Sequence, residues 1–448
     1  MVLALAIGAL ILTPGPSASR SAIAGGLAAL SLAVGLEMIF FIALAGLLLT
    51  VEVLFTPTAS ARRLLGFGVG LGVAAPLLYV AQYGSGSWAN RSCDQLSVPV
   101  LLLTSSAAVY TIALAVTHQA FPRIPRRVGA GSLLTLIFLA AAYRAFGPCI
   151  AGPYADLAED IQKIVIGGII EAAPAWKLLS LAPVFALNAL LPLCLVFGLL
   201  VAQLARGNRA QAASFDRRPL FILLAFVCLG LLGAFWQLRA FLWGLAVLPL
   251  AFGATMAYWT DAQGSRRPLA KLFVLAALFV GIVTPQTLTL TGQKLFSSGL
   301  GSQQNTASAL SKISRNCGSH AQISRLNQIP VNLILAPINL GPRILLHTPH
   351  AVISAPYHRS AAALSNGVFP FIGGFEDMAQ KVQQSEAGLV VVCNLQRSGQ
   401  EESAGARLAS GDFPNWLRPI EVGASDLTVL RVLRDAQGNL LREPKAGG

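Results

Sequence analysis

The sequence predicts a mainly α protein: a polytopic transmembrane helical bundle of about ten apolar segments, followed by a small C-terminal exterior α/β domain. Composition is the first reason. Of 448 residues, 55% are hydrophobic and only 11% are charged, with a mean hydropathy of +0.66. Soluble domains carry about 25% charged residues. The second reason is the length of the apolar runs, because about 20 residues of helix cross about 30 Å of hydrocarbon. The third is a change of pattern in the last third of the chain, where VNLILAP and AGLVVVCNL read as short buried strands.

Taken in order, the apolar segments cover roughly residues 2–13, 20–34, 37–54, 65–82, 97–117, 128–146, 178–204, 219–236, 240–258 and 269–286. The first follows Met1 directly, with no basic region before it and no clean small-residue cleavage site after it, so a signal peptide has little support. That abrupt opening is equally consistent with a chain that lacks its original N-terminal portion. The run at 20–54 also reads as one bent or partly re-entrant element.

The formal net charge is +13. Its placement argues against nucleic acid, because the arginines sit in short loops and no basic stripe with interleaved aromatics occurs. One set of loops collects Arg20, Arg62, Arg63, Arg123, Arg126, Arg127, Arg206, Arg209, Arg217, Arg218, Arg266, Arg267 and Lys271. The other set holds only Arg91, Arg144, Lys163, Lys177 and Arg239. The excess of positive charge marks the first set as cytoplasmic. Ten crossings then leave both chain ends outside. This organisation gives a transmembrane domain at 1–286, a polar linker at 287–316, an exterior domain at 317–434 and a polar tail at 435–448.

Six cysteines occur, and none has the spacing of a zinc ligand set. Cys93 and Cys149 share the exterior loops, and Cys317 and Cys393 share the exterior domain. In an oxidising compartment each pair is a candidate disulfide, the alternative being unpaired buried thiols. Cys194 and Cys228 lie inside apolar runs and read as small hydrophobes.

Within the exterior domain, RILLHTPHAVISAP reads as two extended runs about a turn at Thr348-Pro349. Residues 373–386 read as a helix with Phe375, Met378 and Val382 on one face, and 426–433 as a last strand.

Several constellations bear on chemistry. Glu37 stands at a Gly-Leu-Glu corner between two apolar runs, where a carboxylate serves as a base or cation ligand or as a solvated hairpin tip. Asp94, Asp156, Glu159, Asp160 and Glu171 lie in or near exterior loops, with Glu171 in an interfacial element that places Trp176 at headgroup depth. His347, His350 and His358 fall within twelve residues of one another beside Arg343, Tyr357 and Arg359. They have no helical metal-ligand spacing, which leaves anion contact through His358-Arg359 or a local structural role. GFGVGLG at 66–72 lacks the preceding strand of a phosphate loop and reads as close helix packing. Asn90-Arg91-Ser92 matches a short glycosylation sequon. No GxSxG elbow occurs, so hydrolase chemistry has no support.

APINLGPRILLHTPHAVISAPYHRS at 336–360 resembles the C-terminal exterior segment of bacterial multi-spanning proteins related to GT-C-fold glycosyltransferases. These are relatives of oligosaccharyltransferases and of polyprenyl-phosphate-sugar-dependent transferases. LAVGLEMIFFIALAG at 32–46, Cys93-Asp94, GPCIAGPYAD at 147–156, Glu171 with Pro174, AGLVVVC at 387–393 and FPNWLRPI at 413–420 are similar too. The resemblance implies a bacterial inner-membrane protein with an extracytoplasmic C-terminal domain. It implies a polyprenyl-phosphate-linked sugar donor and, in some relatives, a divalent cation. Glu37 and Asp94 would be its acidic catalytic positions. Glu171, His350, Tyr357, His358 and Arg359 would contact substrate or phosphate. The family's carboxylate in the loop after its first helix has no counterpart before residue 20 here.

Two other readings stay open. A transporter would be expected to show repeated halves and charge within its spans, whereas the sequence has no internal repeat and almost no charge inside the segments. A non-catalytic envelope scaffold accounts for the missing first-loop carboxylate.

Overall fold

A computed structural model describes residues 6–8, 17–84, 86, 88, 91–150, 159, 162–163, 172–181, 183–206, 217–262, 317–356, 360–393, 403–424 and 426–441. The chain divides into two compact units, one of residues 1–155 and 169–295 and the other of residues 156–168 and 296–448.

The first unit is helical. Its elements are α1 (Ala18–Val34), α2 (Ile39–Phe55), α3 (Pro57–Tyr83), α4 (Val98–Thr117), α5 (Ile124–Phe146), α6 (Ala175–Leu181), α7 (Pro183–Arg206), α8 (Arg218–Trp236), α9 (Leu242–Leu245) and α10 (Leu248–Ala262). Leu and Ala supply the helix propensity. Proline stands in the first turn of α3, α4, α5 and α8, where its missing N–H costs no helical bond.

Among the described residues six helices are long and apolar enough to cross a membrane: Leu36–Phe55, Ser60–Tyr83, Val98–Thr117, Ile124–Phe146, Ala186–Ala205 and Arg218–Trp236. The bent pair Leu238–Leu245 and Leu248–Thr255, at 48°, makes a seventh if counted as one span. The expectation of about ten spans is therefore not met within these residues. The run at 20–34 forms α1, 17 residues long and short of the spanning length. The runs at 2–13 and 269–286 lie almost wholly outside the described residues.

Glycine sets the tightest packing of this unit. A Cβ on Gly66 would fall on the carbonyl oxygen of Ala18, one on Gly70 on that of Ala22, and one on Gly25 on that of Phe67. The backbones of α1 and α3 are thus in direct contact. The other side of α3 carries Gly68 and Gly72, whose Cβ atoms would meet Thr111 and Ala108 of α4. The stretch at 66–72 is a packing device on two faces of one helix, as its residue types indicate.

One end of the unit is held by charge. Glu52 of α2 accepts from Arg63 at 3.3 Å and from Arg218 at 2.5 Å, and all three side chains are largely buried. Arg127 is 5% exposed and donates to the carbonyls of Leu54, Phe121 and Pro122.

The second unit is a sheet covered on both faces. Its strands are β1 (Leu333–Leu335), β2 (Ala351–Val352), β3 (Leu389–Cys393), β4 (Leu417–Pro419) and β5 (Leu427–Val432). Their order is β2-β1-β3-β5-β4. The first three are parallel, while β5 runs antiparallel to β3 and β4 to β5. The helices are α11 (His320–Ile323), α12 (Gly341–His347), α13 (Ala361–Ile372), α14 (Phe375–Ser385) and α15 (Ala404–Ala409).

Side chains alternate across the strands. Leu335, Val390, Val392 and Leu430 pack with Phe371, Met378, Val382 and Leu408 on one face. Ile334, Leu389, Val391 and Val429 pack with Ile323, Leu326 and Ile344 on the other. Burial on both faces explains why LVVVC is a continuous apolar run rather than an alternating one. RILLH departs from its predicted extended form: Gly341–His347 is a helix, started by a proline in its first turn, and only Ala351–Val352 pairs as a strand. Three apolar residues between an arginine and a histidine carry no periodicity that separates the two forms.

Candidate functional site

Two regions hold the sequence-predicted residues, one in each unit. In the helical unit they gather at the end opposite Glu52. Glu37 lies in a 3-10 turn, Leu36–Met38, between α1 and α2, and is exposed. Its position is fixed through the backbone, because the Trp243 indole N–H donates to the Glu37 carbonyl at 2.6 Å. Phe40 packs on Trp243 at 4.8 Å and on Trp236 edge-to-face at 6.4 Å. The turn that carries the carboxylate therefore sits beside a cluster of three aromatic rings.

Asp94 belongs to the same end. Gln82, near the end of α3, donates to the Ala33 carbonyl at 3.1 Å, which ties α3 to the end of α1 just before the turn that carries Glu37. The neighbouring Tyr83 hydroxyl donates to Gln95 at 2.7 Å, which ties α3 to the loop that carries Asp94. Cys93, one residue before Asp94, is bonded to Cys149 after α5. Asp94 is half-buried. Ser97, at the start of α4, is fully buried, and its Oγ has no hydrogen-bond partner among the described residues.

Sequence reasoning missed Arg239. It sits in a 3-10 turn, Leu238–Phe241, four residues before Trp243, and is half-buried with its Nε donating to Gln237 at 3.0 Å. The signal was an arginine between two tryptophans at the break between apolar runs, in a loop set otherwise poor in positive charge. Arg239 is thus a cation on the segment that fixes Glu37.

In the second unit His350 is 2% exposed, and both ring nitrogens are engaged. Nδ1 accepts from the Asn332 backbone N–H at 3.1 Å, and Nε2–H donates to the Leu326 carbonyl at 2.9 Å. This corrects its assignment as a phosphate contact: no ring nitrogen is left for a ligand, and its work is to join β2 to the turn before β1. His347 points elsewhere, toward His320. The histidines at 347 and 350 therefore do not converge on one centre. Among the described residues no group of three or more His, Cys, Asp and Glu side chains comes together.

Cys317 is bonded to Cys393 at the end of β3. Tyr357, His358 and Arg359 lie outside the described residues, as do Glu171, Asp156, Asp160 and Asn90. The flanks of the first three are described: Pro356 follows β2, and Ser360 caps α13 by accepting from the Ala363 N–H at 3.1 Å. A groove of about 560 Å³ along Phe369, Pro370, Gln380 and Lys381 has Asp377 as its carboxylate, and that carboxylate is spent on the Gly374 N–H.

Chemically, the corner at Glu37 offers an exposed carboxylate and aromatic side chains suited to a membrane–water boundary, and the segment that binds its backbone also carries Arg239. No protein-family model matches the chain, and comparison with curated proteins finds no match.

Proposed function

We propose that the chain is a GT-C-like membrane glycosyltransferase that takes a polyprenyl-phosphate-linked sugar at the outer face of a bacterial inner membrane. The observation that carries the reading is the corner at Glu37, an exposed acidic residue whose backbone carbonyl is held by the Trp243 indole on the segment that also carries Arg239. The same end contains Asp94 and a disulfide, and disulfides belong to oxidising compartments. The sparse positive charge of these loops agrees with an exterior face.

In this reading Glu37 takes the proton of an acceptor hydroxyl. The acceptor oxygen bonds to the anomeric carbon as the bond from that carbon to the phosphate oxygen breaks. Polyprenyl phosphate departs with the electron pair, and Arg239 stabilises its charge. Asp94 is the second acidic position. Aromatic walls keep the lipid-linked donor at the interface.

The test uses purified protein in nanodiscs and polyprenyl-phosphate donors carrying labelled hexoses or pentoses. Release of sugar from the lipid is the readout. The reading expects transfer by the native chain and a loss of about 100-fold or more in Glu37→Gln, the typical scale for a general base. Arg239→Gln should weaken donor binding as well as turnover. Absence of both donor binding and transfer across the donor panel would defeat the reading in favour of a scaffold.

A further inference from the structure

The C-terminal unit contains a histidine pair with no place in the reading above. His320 opens α11, and His347 closes α12. Their rings meet edge-on, with centroids 4.6 Å apart and planes at 67°. The two Nδ1 atoms are 3.2 Å apart, on the exposed side of the unit.

We propose that His320 and His347 form a binding site for a divalent cation of the Zn²⁺ class. The separation is the first argument. Zinc binds imidazole nitrogen at about 2.0–2.1 Å, so two nitrogens on one tetrahedral centre stand about 3.3–3.4 Å apart. Two nitrogens at right angles on an octahedral centre would stand about 2.9 Å apart at the same bond length. The observed 3.2 Å lies close to the tetrahedral edge.

Preorganisation is the second argument. The His347 carbonyl accepts from the Asn327 side chain at 3.3 Å, and the adjacent Leu326 carbonyl is held by His350. On the other side, Gly318 is bonded through its carbonyl to Arg343 at 2.8 Å, and Cys317 is covalently tied to Cys393. Both imidazoles thus stand on fixed supports, which lowers the ordering cost of a ligand.

Chemistry is the third. A bond between two Nδ1 atoms needs one as donor and the other as acceptor. On cation binding the donor ring carries its proton at Nε2 instead, so the rearrangement releases no net proton. Both Nδ1 lone pairs then face the metal, and imidazole suits zinc, copper and nickel over magnesium or calcium. Two tetrahedral positions remain for water or for an anionic oxygen.

The experiment titrates the chelator-stripped full chain in detergent with Zn²⁺ by calorimetry, and with Co²⁺ by visible absorption. One Zn²⁺ per chain is expected, with at least tenfold weaker binding in His320→Ala and in His347→Ala. His118→Ala, in the helical unit, should bind as the native chain does. Bound Co²⁺ should give the intense d–d bands of a tetrahedral centre, a readout that needs no variant. Native-like binding in both variants, no binding by the native chain, or only weak octahedral Co²⁺ bands would each overturn the proposal. None of these results depends on sugar transfer.

Discussion

Gly70→Ala tests how the helical unit is held together. The new Cβ would lie 2.8 Å from the carbonyl carbon of Ala22 and 3.0 Å from its Cα. Carbon atoms in contact sit about 3.5–4.0 Å apart and the overlap with the Ala22 carbonyl oxygen is deeper still, so α1 and α3 must part by at least about 1 Å. A gap of that size forfeits about half of each well of about 0.1–0.2 kcal/mol. Spread over about 40 atom pairs, the scale of one buried leucine, the loss is about 2–4 kcal/mol, at or just above the upper part of the about 1–3 kcal/mol typical of overpacking. Gly66→Ala strains the same interface, with its Cβ 2.9 Å from the Ala18 carbonyl carbon. One separation relieves both clashes, so the double variant should cost clearly less than the sum of the singles. Gly26→Ala is the control. Nothing lies within 4 Å of its Cβ, and alanine should stabilise the helix by up to about 1 kcal/mol. Unfolding of the detergent-solubilised protein, followed by circular dichroism, gives all four values. A Gly70→Ala variant within about 0.3 kcal/mol of the native chain, the ordinary scatter of independent sites, would refute the direct backbone contact.

Two further outcomes follow from the same geometry. Glu52→Gln leaves Arg63 and Arg218 largely buried without their shared carboxylate. It should destabilise the helical unit by about 2–4 kcal/mol, somewhat under the cost of breaking a fully buried pair, and Glu52→Asp should recover part of it in the same unfolding assay. The disulfide between Cys317 and Cys393 spans 76 residues. Its chain-entropy contribution is about 4.5 kcal/mol, so Cys317→Ser should make the C-terminal unit susceptible to limited proteolysis while the spans stay intact; unchanged protection would show that the two-faced core suffices alone.

Much of the architecture was readable because it rests on local signals. Composition declares the bilayer. The valine run of β3 declares a strand buried on both faces. Met378 and Val382 declare the inner face of α14. Glycines at 66–72 declare close packing, although only the structure shows that they serve two faces. What was not readable is non-local or short. RILLH has too few residues for a period to emerge, so α12 passed as a strand despite the Gly-Pro at its start. Glu52 meets Arg218 across 166 positions, and nothing in either neighbourhood predicts the pair. His350 was grouped with its neighbours by spacing alone, yet burial turns its ring inward, while His347 finds His320 across 27 positions. Glu37 was legible as a corner carboxylate, but its aromatic walls and Arg239 come from the bent segment 200 residues later.

The central claim is that the working end of the bundle is the one with Glu37, Asp94 and Arg239. A polyprenyl-phosphate analogue with a photoreactive group beside the phosphate tests it most directly, using nanodisc-embedded protein and peptide mapping. The account predicts crosslinks within 33–40, 82–97 and 236–243, competed away by unlabelled polyprenyl-phosphate sugar. Specific crosslinks around Glu52, Arg63 and Arg218, or labelling that no donor displaces, would contradict it.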